Sequence, residues 1–422
     1  MRIAWFSPFP PERSGIATYS AEILPLLSSS HRIDRIPELG AHDFVWQQRR
    51  HPYDLVVYQL GNAPCHDYMW AYLAAYPGLV VLHDARLHHA RARRLLKDRR
   101  FDDYRRELAY DQPDLRPEVA EYAVEGLSGS IYYFWPMLRV VMQTARLVAV
   151  HNTRVADDLR TEYPGIAVEA IRMGVPPIGA DAEARRLVRH VLHIPDDAVV
   201  FAAFGKVTAE KRIAAIVHAV TALRRERLNV WLLIVGEIDD LSAMAADGVR
   251  ATGYVSDDAL GAYLNAADAC LCLRWPSALE TSASWLRCLA AGRATVISDL
   301  PHLVDIPSHV ALRIDLLNEE RELLNAMRRL ASDAGLRSDL GRGGHEYWAA
   351  GHTMQAMAED YERLLTAAAA CAAPEPTDLP SHFVDDHSEP AREIARRFGV
   401  DVDVLRASAG CASRGGFRGS SY

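Results

Sequence analysis

The residues best placed to do chemistry lie in Arg274-Trp-Pro-Ser-Ala-Leu-Glu280-Thr-Ser-Ala-Ser284-Trp-Leu-Arg287-Cys-Leu-Ala-Ala-Gly292. This run reads as the end of a strand, an acidic loop and a short helix. It would set the Glu280 carboxylate and the hydroxyls of Thr281, Ser282 and Ser284 beside a helix start, where unpaired amides and partial positive charge suit a phosphate or an anionic leaving group. A second candidate is Phe204-Gly205-Lys206-Val-Thr-Ala-Glu-Lys211. Its two lysines flank a loop at the carboxyl end of an apolar run and could neutralise charge on a departing group. The third is Ser7-Pro-Phe-Pro-Pro-Glu-Arg-Ser14-Gly15. Ser14 is an N-cap candidate, and Gly15 would let backbone amides come close to a diphosphate. An ordinary proline-punctuated turn and two solvated lysines are the plain alternatives for these last two loops.

Such loops need strands to hold them. Apolar runs recur at Ile3–Phe6, Leu55–Tyr58, Leu79–Leu82, Leu147–Val150, Val199–Phe204, Val230–Val235, Ala269–Leu273, Thr295–Ile297 and Ala311–Ile314, separated by amphipathic stretches. Strands buried on both faces look like this, which predicts an α/β chain with doubly wound parallel sheets. Met173-Gly-Val-Pro-Pro-Ile-Gly-Ala180 interrupts the alternation. The expected division is therefore 1–176 and 177–345, two Rossmann-like domains facing a cleft, followed by a helix within 346–370. From 371 to 422 the chain lacks a periodic apolar face and is expected to be a disordered, dispensable tail.

Composition excludes several classes. The 422 residues are half apolar, enough for two cores, and 47 basic against 55 acidic side chains give a net charge of −8, with no basic field to draw nucleic acid. No apolar stretch reaches the length needed to span a bilayer. The six cysteines follow neither metal-type nor disulfide-rich spacing, so they read as reduced thiols of a cytoplasmic protein. A peripheral contact with the inner membrane face stays open.

Taken in order, these segments resemble the retaining glycosyltransferases of family 4, of GT-B fold, also known as glycosyl transferases group 1. The resemblance covers roughly residues 1–366 and rests on Pro-Pro-Glu-Arg-Ser-Gly15, Val-Leu-His83-Asp84, Phe-Gly205-Lys206 with Glu-Lys211, Gly253-Tyr-Val255, and Glu280 through Gly292. It implies a nucleoside-diphosphate sugar donor bound mainly by the second domain and a glycan, lipid-linked or small-molecule acceptor held by the first. No metal or other cofactor is implied. It also implies that Lys206 and Lys211 hold the diphosphate, that the Gly15 amide meets a phosphate, that His83 with Asp84 lies beside the sugar, and that Val255 contacts the base. The family's two glutamates correspond to Glu280, shifted by one residue, and to Arg287. If positions 280 and 287 shared one helix face, Arg287 would point at the same neighbourhood, to bind a phosphate or to pair with Glu280. Two rival readings are a sugar-nucleotide-binding protein without turnover and a metal-dependent hydrolase using His83, Asp84 and His88.

Overall fold

A computed structural model describes residues 1–127, 129–238, 246–376, 378–384, 393–394 and 396–399. Nine apolar runs become strands, and three more strands join them. The first sheet contains β1 (Arg2–Phe6), β2 (Arg32–Ile36), β3 (Leu55–Leu60), β4 (Leu79–Leu82), β5 (Leu147–Val150) and β6 (Val168–Ala170), in the order β2-β1-β3-β4-β5-β6. The second contains β7 (Val199–Phe204), β8 (Val230–Val235), β9 (Val249–Ala251), β10 (Ala269–Cys272), β11 (Ala294–Ser298) and β12 (Leu312–Ile314), in the order β12-β11-β10-β7-β8-β9. Every pairing is parallel. The strands absent from the sequence reading, β2, β6 and β9, lie at or beside sheet edges, where one side meets solvent and charged residues are tolerated.

These orders locate the ligand crevices. In an open parallel sheet, successive helices change face where strand order reverses, leaving a gap outside the strand ends. The reversal falls between β1 and β3 in the first sheet and between β7 and β10 in the second. The loops after β1, β7 and β10 are the three that the sequence singled out.

The helix after β1 starts at Gly15, and Ser14 caps it by accepting from the amide of Ile16 at 3.2 Å. The last long helix, Met354–Ala370, is capped by Thr353 and returns to the first sheet. Its Met357, Tyr361, Leu364 and Leu365 are fully buried in a core that also contains Ile3, Trp5, Ile23 and Val81. Trp285 and Leu289 of the second half join that core, so apolar packing is continuous between the halves.

One expectation about the tail is corrected. Leu379 is buried, Phe383 packs near Trp70, and His382 lies 2.7 Å from Glu107, whose carboxylate also pairs with Arg91. The segment 378–384 is therefore seated on the first sheet's layer of helices. Its anchor is a buried ionic group, which hydrophobic periodicity does not reveal. Residues 377, 385–392, 395 and 400–422 of the expected tail lie outside the described residues.

Candidate active site

At the end of β7 the chain turns at Gly205 with φ +88°, and a Cβ there would fall 2.5 Å from Lys211 Nζ. Glycine is favoured there by the left-handed turn, and it leaves the room that the Lys211 ammonium occupies. Lys211 Nζ donates to the carbonyl of Phe204 at 2.6 Å, so its ammonium is held inside the β7 crevice. Burial, and then the neighbouring Arg274 cation, pull the Lys211 amine down to about 7. Lys206 differs: it is half-exposed and lies 3.4 Å from Glu237.

After β10, Glu280 is engaged in folding its own loop. One oxygen pairs with Arg274 Nε at 2.7 Å, and the other accepts from Ser277 Oγ at 2.9 Å and from the amide of Ala278 at 2.8 Å. The helix Ala283–Ala290 begins only afterwards, with Ser282 as its cap accepting from Trp285 at 3.2 Å. Glu280 thus precedes the helix, and the expectation that Glu280 and Arg287 share a helical face is overturned. Arg287 instead crosses to the first helix, Gly15–Leu27, where it pairs with Glu22 at 2.6 Å. Burial pushes the Glu22 carboxyl up, and Arg287 opposes that shift.

The pairing makes a test. Arg287→Glu would face Glu22 with a like charge in a mostly buried contact and is expected to weaken closure of the two halves by about 2–3 kcal/mol. The double variant Glu22→Arg/Arg287→Glu should recover most of that loss. A double-mutant cycle in thermal unfolding measures it; strictly additive losses would show that the pair is not coupled.

On the opposite wall, His83 and Asp84 follow β4. His83 is buried, its Nε2 lies 2.8 Å from Gln59 Oε1, and burial holds its ring well below the usual histidine range. Asp84 accepts from the amide of Asn62 at 2.7 Å, and burial, followed by repulsion from Glu280, pushes its carboxyl up to about 7. The two walls touch: Ala85 donates to the Ala278 carbonyl at 2.9 Å and Thr281 Oγ1 to the His151 carbonyl at 2.9 Å. Tyr133 adds a bond to Glu210 at 2.9 Å.

Beside this contact lies a cavity of about 530 Å³, lined among others by His151, Lys211, Arg274, Glu280 and Ser284. Thr281 and Ser282 also line it. Gly15, His83, Asp84, Gly205, Lys206, Val255 and Arg287 do not. Gly15 is exposed, and a Cβ there would meet no atom within 4 Å, so nothing in the fold itself demands glycine. Val255 is half-buried after the turn at Gly253, φ +71°; nearby, Thr18 donates to Asp257 at 2.7 Å.

Sequence reasoning missed Arg274 and His151 as site residues. His151 carried a signal, since His151-Asn152 follows β5 as His83-Asp84 follows β4. Arg274 carried none, because its role depends on the fold of its loop. The metal reading does not match the geometry of His88, whose ring nitrogens lie 3.0 Å from the Trp135 carbonyl and 2.8 Å from the Tyr104 hydroxyl. Among the described residues no group of three or more His, Cys, Asp or Glu side chains is placed to hold a metal ion, and no helix is long and apolar enough to cross a membrane.

Comparison with known proteins agrees with this layout. Residues 196–333, which include the loops after β7 and β10, match the family model described as glycosyl transferases group 1. No curated protein matches the sequence. Among solved structures, sucrose-phosphate synthase from Thermosynechococcus elongatus is 17% identical with a TM-score of 0.61, covering 87% of this chain and 98% of that one. WaaG, a glycosyltransferase involved in lipopolysaccharide biosynthesis, is 14% identical with a TM-score of 0.57, covering 86% and 99%. Anabaena Alr3699/HepE, solved in complex with UDP and glucose, is 13% identical with a TM-score of 0.59, covering 87% and 99%. The loops after β7 and β10 thus lie in a segment that matches glycosyl transferases group 1, and the chain has the two-domain GT-B fold.

Proposed function

We propose that the protein transfers a glycosyl group from a nucleoside-diphosphate sugar to a hydroxyl acceptor, with retention of anomeric configuration and without a metal ion. The observation that carries this reading is the grouping of Lys211, Arg274 and the Ser282-capped helix start at the second sheet's crevice, within electrostatic reach of Asp84 of the first. Residues 1–176 would hold the acceptor and 177–345 the donor, with the diphosphate on the cationic side of the cavity. Anabaena HepE has been solved with UDP-glucose, which supports a donor of that class.

The chemistry asks for placement and charge. Bond cleavage at the anomeric carbon leaves negative charge on the diphosphate, which Lys211, Arg274 and the free amides at the helix start would stabilise in a closed site. Glu280 has both oxygens engaged and is not poised as a nucleophile. This supports attack on the face the diphosphate leaves, with the departing phosphate accepting the acceptor's proton. Asp84 and His83 would orient the sugar or the acceptor.

A panel of nucleoside-diphosphate sugars, screened in chelator by thermal shift and then by nucleotide release, tests the proposal. The matching donor at a hundredfold excess over its Kd should stabilise the protein by about 2.7 kcal/mol. Turnover with an inverted product would overturn retention. Binding without turnover on any acceptor would favour the sugar-nucleotide-binding alternative.

The site also sets a pH dependence. An amine pulled down to about 7 is charged below that pH and neutral above it, and the neutral form cannot offset phosphate charge. We therefore expect kcat/KM, which reports the free enzyme, to decline by about tenfold per unit as pH rises above 7. Lys211→Arg keeps its charge and should lack this limb even at reduced activity. Persistence of the limb in that variant would assign it to another group such as Asp84, whose carboxyl is also pushed up to about 7.

A further inference from the structure

The last long helix reaches the candidate site through hydrogen bonds. Tyr361, fully buried on Met354–Ala370, lies with its hydroxyl 2.7 Å from the Tyr19 hydroxyl and accepts from Gln59 Nε2 at 3.0 Å. Gln59 sits inside β3, fully buried, and its Oε1 lies 2.8 Å from His83 Nε2. When Tyr361 gives its proton to Tyr19, its oxygen can only accept from Gln59, which turns the amide nitrogen to Tyr361 and leaves only the amide oxygen facing the imidazole. That oxygen can accept but not donate, so the ring nitrogen opposite it must carry the proton. The Tyr19 ring packs edge-on against His83, with centroids 4.7 Å apart, and limits rotation of the imidazole.

We propose that Tyr361 is a positioning residue: acting through Gln59, it fixes His83 as the Nε2–H tautomer and leaves Nδ1 as the ring's acceptor for a substrate hydroxyl. The role assigned to Nδ1 rests on the glycosyl-transfer reading; the tautomer does not. Burial keeps the ring neutral, so tautomer, rather than charge, decides whether this histidine offers a lone pair or a proton. The arrangement gives the returning helix a function beyond packing, because an element distant in sequence completes the orientation of a group at the end of β4.

Protein labelled with ¹⁵N in its histidines tests this without substrate, with His83 assigned by difference against His83→Gln. The wild type should show the Nε2–H tautomer at this ring. Tyr361→Phe should release the amide, mix the tautomers and lower kcat about tenfold with KM little changed. Gln59→Leu removes the acceptor altogether and should mix the tautomers even if Tyr361→Phe fails to fold. An Nδ1–H tautomer in the wild type, or an unchanged His83 signal in the variants, overturns the proposal. The expected tautomer together with no transfer from any donor would instead defeat the glycosyl-transfer reading and leave the positioning intact.

Discussion

Lys211→Ala should lower turnover by about 10² to 10³, the loss typical of removing one preorganised group that stabilises charge in the transition state, equivalent to about 2.7–4 kcal/mol. The argument rests on enclosure. An exposed lysine offsets phosphate charge weakly because water screens it, whereas the Lys211 ammonium is held against the Phe204 carbonyl under Gly205, and burial has already pulled it down to about 7. A diphosphate arriving there would favour the charged amine and gain an interaction that water does not share. Lys206 lies half-exposed beside Glu237, so Lys206→Ala should cost only about tenfold. Lys211→Met, which keeps most of the side-chain volume, should be as inactive as the alanine variant. Activity within a few-fold of wild type in both would remove Lys211 from the mechanism, and intact thermal unfolding of both would show that the loss is chemical.

Much of this layout could be read from residue order, for a physical reason. A strand covered on both faces must be apolar throughout, so the central strands announced themselves: Leu79–Leu82 and Val199–Phe204 match the apolar runs residue for residue. Edge strands escape that rule. Arg32-Ile-Asp-Arg-Ile36 carries three charged residues because one side of it meets no neighbouring strand. The loops that hold Lys211, Glu280 and Ser282 were recognisable because their chemistry is local: a cap, a glycine turn and a lysine near a strand end. Partners across the cleft were not. Arg287 and Glu22 are 265 residues apart, and no local pattern distinguishes an arginine that meets phosphate from one that meets another element's carboxylate. Glu280 was misplaced for a related reason. The loop takes an extra turn at Leu279, φ +62°, and spends the carboxylate on Ser277, Ala278 and Arg274 before the helix starts. Spacing along the chain counts helical turns correctly only where there is a helix.

Two truncations should separate the parts of the C-terminal region. A chain ending before Thr353 loses the helix whose Met357, Tyr361, Leu364 and Leu365 are fully buried, together with the Arg172–Asp360 pair at 2.9 Å. Each such side chain contributes about 1.5–3 kcal/mol by burial, and the sum is comparable with the whole stability of a domain, about 5–15 kcal/mol. That chain should not accumulate as soluble, folded protein. A chain ending after Glu375 keeps the helix but removes Leu379, His382 and Phe383, uncovering the buried Arg91–Glu107 pair and Trp70. In the intact protein burial pushes the Glu107 carboxyl up, but Arg91 and His382 outweigh it and hold the group below the usual carboxylate range. Removing His382 takes one of those partners away. The apolar cover and the hydrogen bond together are worth about 2–4 kcal/mol, or a melting temperature lower by roughly 5–10 °C for a domain of this size. A chain ending at Val384 keeps all of these contacts and is the proper reference. Coincident melting of the chains ending at 375 and 384 would show that the segment covers the Arg91–Glu107 pair without stabilising it.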